Sequence, residues 1–315
     1  MNQLDNYSKL IGNTPIIQLD SDIPNINIYA KMEFLNPSGS MKDRAALRIV
    51  QNIISENKND VKIIESSSGN FGIALASICS ICNIDFYCVI DKDINLQNKR
   101  ILETLGTKII IIDEMDSAGG YLKNRIKKVE ELLAMDESFY WINQYDNKDM
   151  IKAYYDIVDE AINYMEQLDY IFVPVSSGGT ITGISQRAKK INPSIKVIAV
   201  DVEGSVIFGG LPKKRHIPGM GSSIVAPNLS QACIDDVVVV SEESIIECCD
   251  SMINKNAILI GGSTGASYQA IIDYFAQHQV NKKTNVLMLY CDRGERYIET
   301  LYNDEWRRNN RLLKQ

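Results

Sequence analysis

One segment organises this sequence, and it reads Asn36-Pro37-Ser38-Gly39-Ser40-Met41-Lys42-Asp43-Arg44. It follows an alternating run at residues 28–33, which predicts a strand, and it precedes residues 45–54, whose apolar side chains recur at helical spacing. We therefore predict a strand-to-helix turn with Lys42 at or near the helix start. The partial positive charge of a helix start disfavours an ammonium group and favours a neutral amine or an imine. The position suits a lysine that forms a Schiff base, although a solvated surface lysine is the alternative.

Composition limits the classes of protein to which the chain can belong. With 315 residues, 45% apolar and 23% charged, it has the make-up of an ordinary globular protein of one large or two moderate domains. The net charge of -7 argues against a nucleic-acid partner. No apolar run approaches the length of a membrane span, and residues 1–5 do not resemble a signal peptide. We expect a cytoplasmic protein that does not bind membranes.

The cysteines and histidines offer little for metal or nucleophilic chemistry. The seven cysteines are odd in number and lie mostly in apolar segments, so we interpret them as reduced core residues. Cys79 and Cys82 have metal-site spacing, but no second such pair follows and the chain has only two histidines. We predict no metal site, and the shortage of histidine also argues against a serine-protease mechanism.

Strand-like and helix-like segments alternate along most of the chain. This alternation predicts βαβ units and parallel sheets covered by helices on both faces, which is the α/β class. The pattern also predicts a single helix over residues 149–165, a strand at 258–260 and a frayed tail at 307–315.

Three small-residue turns occupy the same place in this plan, because each is predicted to follow a buried strand and to open a helix. They are residues 66–70, 176–180 and 261–265. Ligands of open parallel sheets bind beyond the carboxyl ends of the strands, so we expect these turns to face one crevice. The second turn, with Gly178, Gly179 and Thr180, is the best phosphate cradle, although it matches neither a Walker loop nor GxGxxG. Three such turns and the lysine turn together favour a phosphate-bearing cofactor.

Residues 36–44 also resemble the Schiff-base segment of the fold-type II pyridoxal-phosphate enzymes of the cysteine synthase and cystathionine β-synthase family. The resemblance covers nearly the whole chain, and its further motifs occur in the family's order at residues 11–15, 67–70, 144, 178–180, 263 and 294–297. It implies two αβα domains with mainly parallel sheets, similar to the tryptophan synthase β subunit. It also implies pyridoxal 5'-phosphate as the cofactor.

The same resemblance implies roles for individual residues. Lys42 would hold the cofactor as a Schiff base and act as the catalytic residue, and Asn70 would bond the 3-oxygen of the pyridine ring. Ser263 would face the pyridine nitrogen. The phosphate-holding residues would be Ser176, Ser177, Gly178, Gly179 and Thr180. The residues that would bind the substrate carboxylate are Ser67, Ser68, Gly69 and Gln144.

Several positions depart from the pattern of the cysteine synthases. Phe71 stands where threonine is usual, Ser176 where glycine is usual, and residues 291–294 read Cys-Asp-Arg-Gly. Residues 119–125, 141–145, 204–209 and 261–265 instead resemble the N-(2-amino-2-carboxyethyl)-L-glutamate synthases, which supply a 2,3-diaminopropionate precursor for siderophores. That resemblance implies β-replacement on O-phospho-L-serine by L-glutamate, through an aminoacrylate intermediate.

The two substrates of this reaction need particular side chains. Arg125 is the candidate that binds the phosphate leaving group, because a guanidinium can grip an oxyanion with two donors; an exposed helix residue is the alternative. Tyr145 and Ser176 are candidate donors to glutamate, together with the loop that contains Arg215. Phe71 is either a substrate contact or a core residue. Lys213 and Lys214 are expected to be solvated.

We expect a homodimer whose larger domain comprises residues 1–35 and 146–315 and whose smaller domain, residues 36–145, closes over it when substrate binds. Two other functions stay open. A cysteine synthase would use sulfide and O-acetylserine or O-phosphoserine, and would need no pocket for an anionic nucleophile. A non-catalytic regulator with the same fold would have no use for a Schiff-base lysine.

Overall fold

The computed structural model describes residues 3–56, 60–116 and 120–312, and within these ranges no helix is long and apolar enough to cross a membrane. The strands are β1 Ile16–Leu19, β2 Ile26–Lys31, β3 Lys62–Ser66, β4 Phe86–Asp91, β5 Lys108–Ile112, β6 Phe139–Trp141, β7 Tyr170–Pro174, β8 Lys196–Val202, β9 Asp236–Val240 and β10 Thr284–Leu289. The α-helices are α1 Gln3–Ser8, α2 Lys42–Ser55, α3 Asn70–Cys82, α4 Leu96–Thr104, α5 Leu122–Met135, α6 Lys148–Lys152, α7 Tyr155–Tyr164, α8 Gly179–Ile191, α9 Glu242–Asn256, α10 Gly262–Gln277 and α11 Asp304–Asn309.

The chain divides into two compact units. The first contains Met1–Ile11 and Asn36–Ala153, and the second contains Gly12–Leu35 and Tyr154–Gln315. The expected larger domain includes residues 3–11 and 146–153, whereas the contacts of these residues lie in the first unit.

The first unit is built on a four-stranded sheet in the order β5-β4-β3-β6, and every neighbouring pair is parallel. The central strand β3 is apolar at Ile63 and Ile64, which are both fully buried. Helix α5 packs on β3, β4 and β6, while α2 packs on α3. Because the strands are parallel, the segments that follow β3, β4 and β6 lie at the same edge of this sheet.

The second unit is built on a six-stranded sheet in the order β1-β2-β10-β7-β8-β9, in which only β1 pairs antiparallel. Helix α10 packs across β7, β8, β9 and β10, and α9 packs on α10. The core between them contains residues such as Phe172, Ile198 and Ala266, which are wholly buried. Mostly parallel sheets with helices packed on them confirm the predicted α/β class.

Three local predictions were wrong. Residues 149–165 form two helices, because α6 ends at Lys152 and α7 begins at Tyr155. The break lies where the chain passes from the first unit to the second, so the two halves bury their apolar residues in different cores. Residues 258–260 form only an isolated bridge, from Ile260 to Arg293.

The described part of the tail is also ordered rather than frayed. Helix α11 carries Arg307, whose side chain is 7% exposed and donates to both carboxylate oxygens of Asp250, at 2.7 and 2.9 Å. Its Nε donates to the carbonyl of Leu301 at 2.6 Å, and Leu312 is buried. The last three residues of the predicted tail lie outside the described ranges.

Candidate active site

Lys42 is the first residue of α2, as the sequence predicted, and its side chain is half-buried. The turn before it is tied to the helix by Asp43, whose carboxylate accepts hydrogen bonds from the backbone N–H of Ser38 (3.1 Å) and from its hydroxyl (2.8 Å). Gly39 has φ of +85°, which favours glycine. The backbone N–H of Lys42 donates to the hydroxyl of Ser40 at 3.3 Å. These contacts fix the direction in which the lysine leaves the turn.

The predicted carboxylate-binding turn follows β3 directly and opens α3. The hydroxyl of Ser67 accepts from the N–H of Gly72 at 3.0 Å, and its carbonyl accepts from the thiol of Cys88. Gly72 is required here, because a Cβ at this position would lie 2.5 Å from the carbonyl oxygen of Ser67. Asn70 is the first residue of the helix, and Phe71 is 2% exposed. The first turn of α3 therefore packs so closely against this turn that position 72 tolerates no added methyl group.

Arg125 lies in the first turn of α5, and its guanidinium reaches this turn. One terminal nitrogen donates to the hydroxyl of Ser68 at 2.5 Å and to the carboxylate of Asp91 at 3.0 Å. Asp91, at the end of β4, also accepts from Ser68 at 2.8 Å. The side chains of Arg125 and Asp91 are only 14% and 17% exposed. The alternative, an exposed helix residue, is wrong.

Gln144 and Tyr145 follow β6 and lie at the same sheet edge. The side-chain amide of Gln144 donates to the carbonyl of Ser66 at 2.9 Å, and its backbone N–H donates to Glu65 at 3.3 Å. Burial raises the pKa of the Tyr145 hydroxyl to about 12, so it stays a neutral donor near pH 7. The first unit thus brings together the predicted residues Ser67, Ser68, Gly69, Arg125, Gln144 and Tyr145.

Glu65, Asp91 and Asn98 belong to this cluster but were not predicted. Glu65 is a fully buried carboxylate at the end of β3, and the amide of Asn98 donates to the carbonyl of Ser68 at 3.3 Å. A charged residue in the last two positions of a buried strand was the available signal for Glu65 and for Asp91.

In the second unit, the predicted phosphate-binding turn follows β7 and opens α8. Gly178 has φ of +79°, and a Cβ there would lie 3.0 Å from the backbone nitrogen of Leu229. Ser177 and Thr180 are buried, and the Ser176 hydroxyl donates to the carbonyl of Gly221 at 3.2 Å. Arg215 donates to the carbonyl of Gly204, within the segment that also contains Gly221, while Lys213 and Lys214 are exposed as predicted.

Ser263 is buried in the first turn of α10, within the second unit. The glycine before this helix is set by a close approach, since a Cβ on Gly261 would lie 1.8 Å from a carboxylate oxygen of Asp292. Tyr297 donates a short hydrogen bond to that same carboxylate group. Residues 291–297 therefore pack directly against the turn that carries Ser263.

The helices that open at the three small-residue turns share one feature. The N-cap residues of α3, α8 and α10 are Gly69, Gly178 and Gly261, which have no side chain to cap the helix. Asn95, Asn147, Ser241 and Asn303 cap the starts of α4, α6, α9 and α11, whereas α2, α5 and α7 have a non-glycine N-cap residue whose side chain does not cap the helix. A helix start without a side-chain cap can present backbone N–H groups to a ligand, but at α3 the N–H of Gly72 already donates to the Ser67 hydroxyl. At α8, the glycines and buried hydroxyls around it fit an anionic phosphate group.

Gly119 of the motif at residues 119–125 lies outside the described ranges. Across the described part of the chain, no group of three metal-ligating side chains is arranged to hold a metal ion.

Comparison with known proteins gives consistent matches over nearly the whole chain. A family model described as "Pyridoxal-phosphate dependent enzyme" matches residues 7–292. The O-acetylserine-dependent cystathionine beta-synthase from Helicobacter pylori is 29% identical, with a TM-score of 0.85 over 95% of this chain and 97% of that one. O-acetylserine sulfhydrylase isoform 3 from Entamoeba histolytica is 25% identical, with a TM-score of 0.85 over 100% and 96%. O-ureido-L-serine synthase is 25% identical, with a TM-score of 0.85 over 96% and 95%.

Proposed function

Because this chain belongs to the family of pyridoxal-phosphate-dependent enzymes, we propose that it joins L-glutamate to O-phospho-L-serine and releases phosphate. The product is N-(2-amino-2-carboxyethyl)-L-glutamate. The bond between Cβ and the phosphate oxygen breaks, the glutamate nitrogen bonds to Cβ, and the amine loses a proton to solvent.

Lys42, Asn70, Ser263 and residues 176–180 are the residues proposed to hold pyridoxal phosphate. When bound, the cofactor supplies an electron sink for the carbanion at Cα. The protein supplies the proton transfers and the orientation. Lys42 Nζ removes the proton from Cα of the substrate and returns a proton to Cα after the new Cβ–N bond has formed, a role that suits an amine at a helix start. The turn at residues 67–69 and the amide of Gln144 bind the substrate carboxylate.

The arrangement around Arg125 carries the choice of phosphoserine. Phosphate leaves as a dianion and needs a cation beside it, whereas acetate leaves as a monoanion. Arg125 is largely buried next to Ser68, and its Nε–H is a buried donor without an acceptor in the described part of the chain. Asp91 holds the guanidinium through one terminal nitrogen, so the other donors remain for phosphate oxygens.

The hydroxyl of Tyr145, the residue after Gln144, is the first proposed donor to glutamate, because a nucleophile with two carboxylates needs donors around it. Ser176 is the second proposed donor. The names of the H. pylori and E. histolytica proteins both contain O-acetylserine. O-acetylserine and sulfide are therefore the second candidate pair of substrates for this chain.

Steady-state kinetics tests this proposal, with O-phospho-L-serine and O-acetyl-L-serine as the serine substrates and with L-glutamate and sulfide as the nucleophiles. The variant Arg125→Met should lower kcat/KM for O-phospho-L-serine by about 100-fold, and that for O-acetyl-L-serine by less than about 5-fold. Arg187→Met is the matched control, since Arg187 also pairs with a carboxylate, Asp159, at 2.7 Å. If Arg125→Met lowers kcat/KM equally for both serine substrates, Arg125 does not bind the phosphate group.

The products distinguish the alternatives. Phosphate release that depends on glutamate and yields the coupled amino acid supports the proposal, while consumption of sulfide alone identifies a cysteine synthase. A wild-type protein that stays colourless with pyridoxal phosphate would indicate a regulator. A yellow protein that loses its colour in Lys42→Ala would exclude one.

A further inference from the structure

Glu65 is a charged residue in a place where the fold provides no solvent. It is the fourth residue of β3, which lies between β4 and β6, and its side chain is 0% exposed. A carboxylate that deep in a protein is costly unless each oxygen receives hydrogen bonds. The partners of Glu65 are therefore informative about its role.

The two oxygens of Glu65 bind two different segments. One accepts the backbone N–H of Ser66 at 2.9 Å, at the start of the carboxylate-binding turn. The other accepts the backbone N–H of Gln144 at 3.3 Å, in the segment after β6. These segments are 78 positions apart and are also joined by the bond from the Gln144 amide to the Ser66 carbonyl.

We propose that Glu65 is a positioning residue that holds the turn at residues 66–70 and the segment at 143–145 in the one arrangement that binds the substrate α-carboxylate. The inference rests on the proposed function only in that these segments are the proposed carboxylate site. It applies to any amino-acid substrate, whichever group leaves and whichever nucleophile attacks.

The ionised form of Glu65 is the one that can hold both segments. A proton on either oxygen would place an O–H donor opposite a backbone N–H donor. The titratable groups around it are Cys88 on β4, Tyr145 after β6 and Arg125 on α5, which in turn contacts Asp91. Burial raises the pKa of Glu65 to about 7, against the opposing effects of the backbone donors and of Arg125. Substrate affinity should therefore weaken as the pH falls below about 7.

Hydrogen–deuterium exchange of the holoenzyme tests the inference without turnover. In Glu65→Gln, amide exchange should rise about 10-fold in both segments, because the glutamine NH2 group faces one of the two backbone N–H donors and the single remaining oxygen cannot hold the two segments together. Asp201→Asn is the matched control, since Asp201 is also a buried carboxylate that accepts the next residue's N–H, at 2.9 Å. That variant should leave both segments unchanged. Wild-type exchange in both segments of Glu65→Gln, or a rise in only one, would overturn the proposal.

Kinetics provides the second readout. KM for the serine substrate that the wild type uses should rise about 10-fold in Glu65→Gln, while kcat changes less than about 3-fold. The wild-type KM should rise below about pH 7, and the variant's KM should be flat. If Glu65→Gln does not fold, wild-type exchange at pH 6 and 8, corrected for intrinsic rates, decides the matter, and equal protection at both pH values would overturn the inference. If the wild type does not turn over O-phospho-L-serine but amide exchange rises in both segments of Glu65→Gln, only the proposed function is refuted and the inference about Glu65 stands.

Discussion

The titration of Glu65 predicts how the stability of the first unit depends on pH. Its pKa is about 7 in the folded protein and 4.5 for an unperturbed glutamate. Between these values the folded state holds a proton that the unfolded state has released. The free energy of unfolding therefore falls as the pH rises through this window. The stabilisation is complete below about pH 4.5 and is lost above about pH 7.

The size of the effect follows from the same two pKa values. The 4.5 of the ordinary group and the value of about 7 differ by roughly 2.5. Each pKa unit corresponds to about 1.4 kcal/mol, so the full effect is about 3 kcal/mol. Glutamine does not titrate. The stability difference between the wild type and Glu65→Gln should thus change by about 3 kcal/mol between pH 4.5 and 8, in favour of the wild type at low pH.

The two tryptophans allow a measurement confined to the correct unit. Trp141 on β6 pairs with Ile64, the neighbour of Glu65, whereas Trp306 belongs to the second unit. In a Trp306→Phe background, urea unfolding followed by fluorescence reports only the surroundings of Trp141. The protein with Glu65 and the Glu65→Gln variant, both carrying Trp306→Phe, would be unfolded in urea at pH 5 and at pH 8. All other titrating groups cancel in the difference between their free energies of unfolding.

One result would refute the reasoning. If the free energies of unfolding of the two proteins change by the same amount between pH 5 and pH 8, Glu65 does not titrate in this window. Its carboxylate must then already be ionised at pH 5. A difference of the opposite sign would mean that the backbone donors and Arg125 outweigh burial.

Three further predictions concern the other parts of the molecule. Gly72→Ala should raise KM about 10-fold with little change in cofactor content, because the new Cβ would lie 2.5 Å from the Ser67 carbonyl and displace the turn; an unchanged KM would separate that turn from substrate binding. Gly179→Asp should abolish cofactor retention by placing a carboxylate at the phosphate cradle, and a normal visible spectrum would contradict the assignment. Arg307→Ala should lower Tm by about 5 °C, since it removes two bonds to Asp250 and leaves a buried carbonyl unpaired; an unchanged Tm would show that the tail contributes nothing.

The local parts of the fold could be read from the sequence. The helix after residues 36–41 does begin at Lys42, and the turns at residues 66–70 and 176–180 do join a strand to a helix. These features depend on side-chain periodicity and on the backbone preferences of glycine and proline, which neighbouring residues express by themselves.

Features that depend on two distant segments could not be read in this way. Residues 149–165 have continuous helical periodicity, but α6 and α7 pack into different cores, so the helix breaks at the boundary between the units. Residues 258–260 have an apolar strand pattern, yet only Ile260 meets a bridging partner. Periodicity shows which face of a segment is buried, but the surface against which it packs is a property of the whole fold.

The site shows the same division. The residue types of the lysine turn and of the small-residue turns are enough to indicate a phosphate-bearing cofactor and a Schiff-base lysine. Folding alone brings Arg125 to Ser68 across 57 positions of sequence and places Glu65 between two backbone segments. Hydrogen-bond partners and burial set the direction of a pKa shift, and both depend on groups that are distant along the chain. The residue types therefore establish the kind of chemistry, and the folded chain selects the charged groups that orient it.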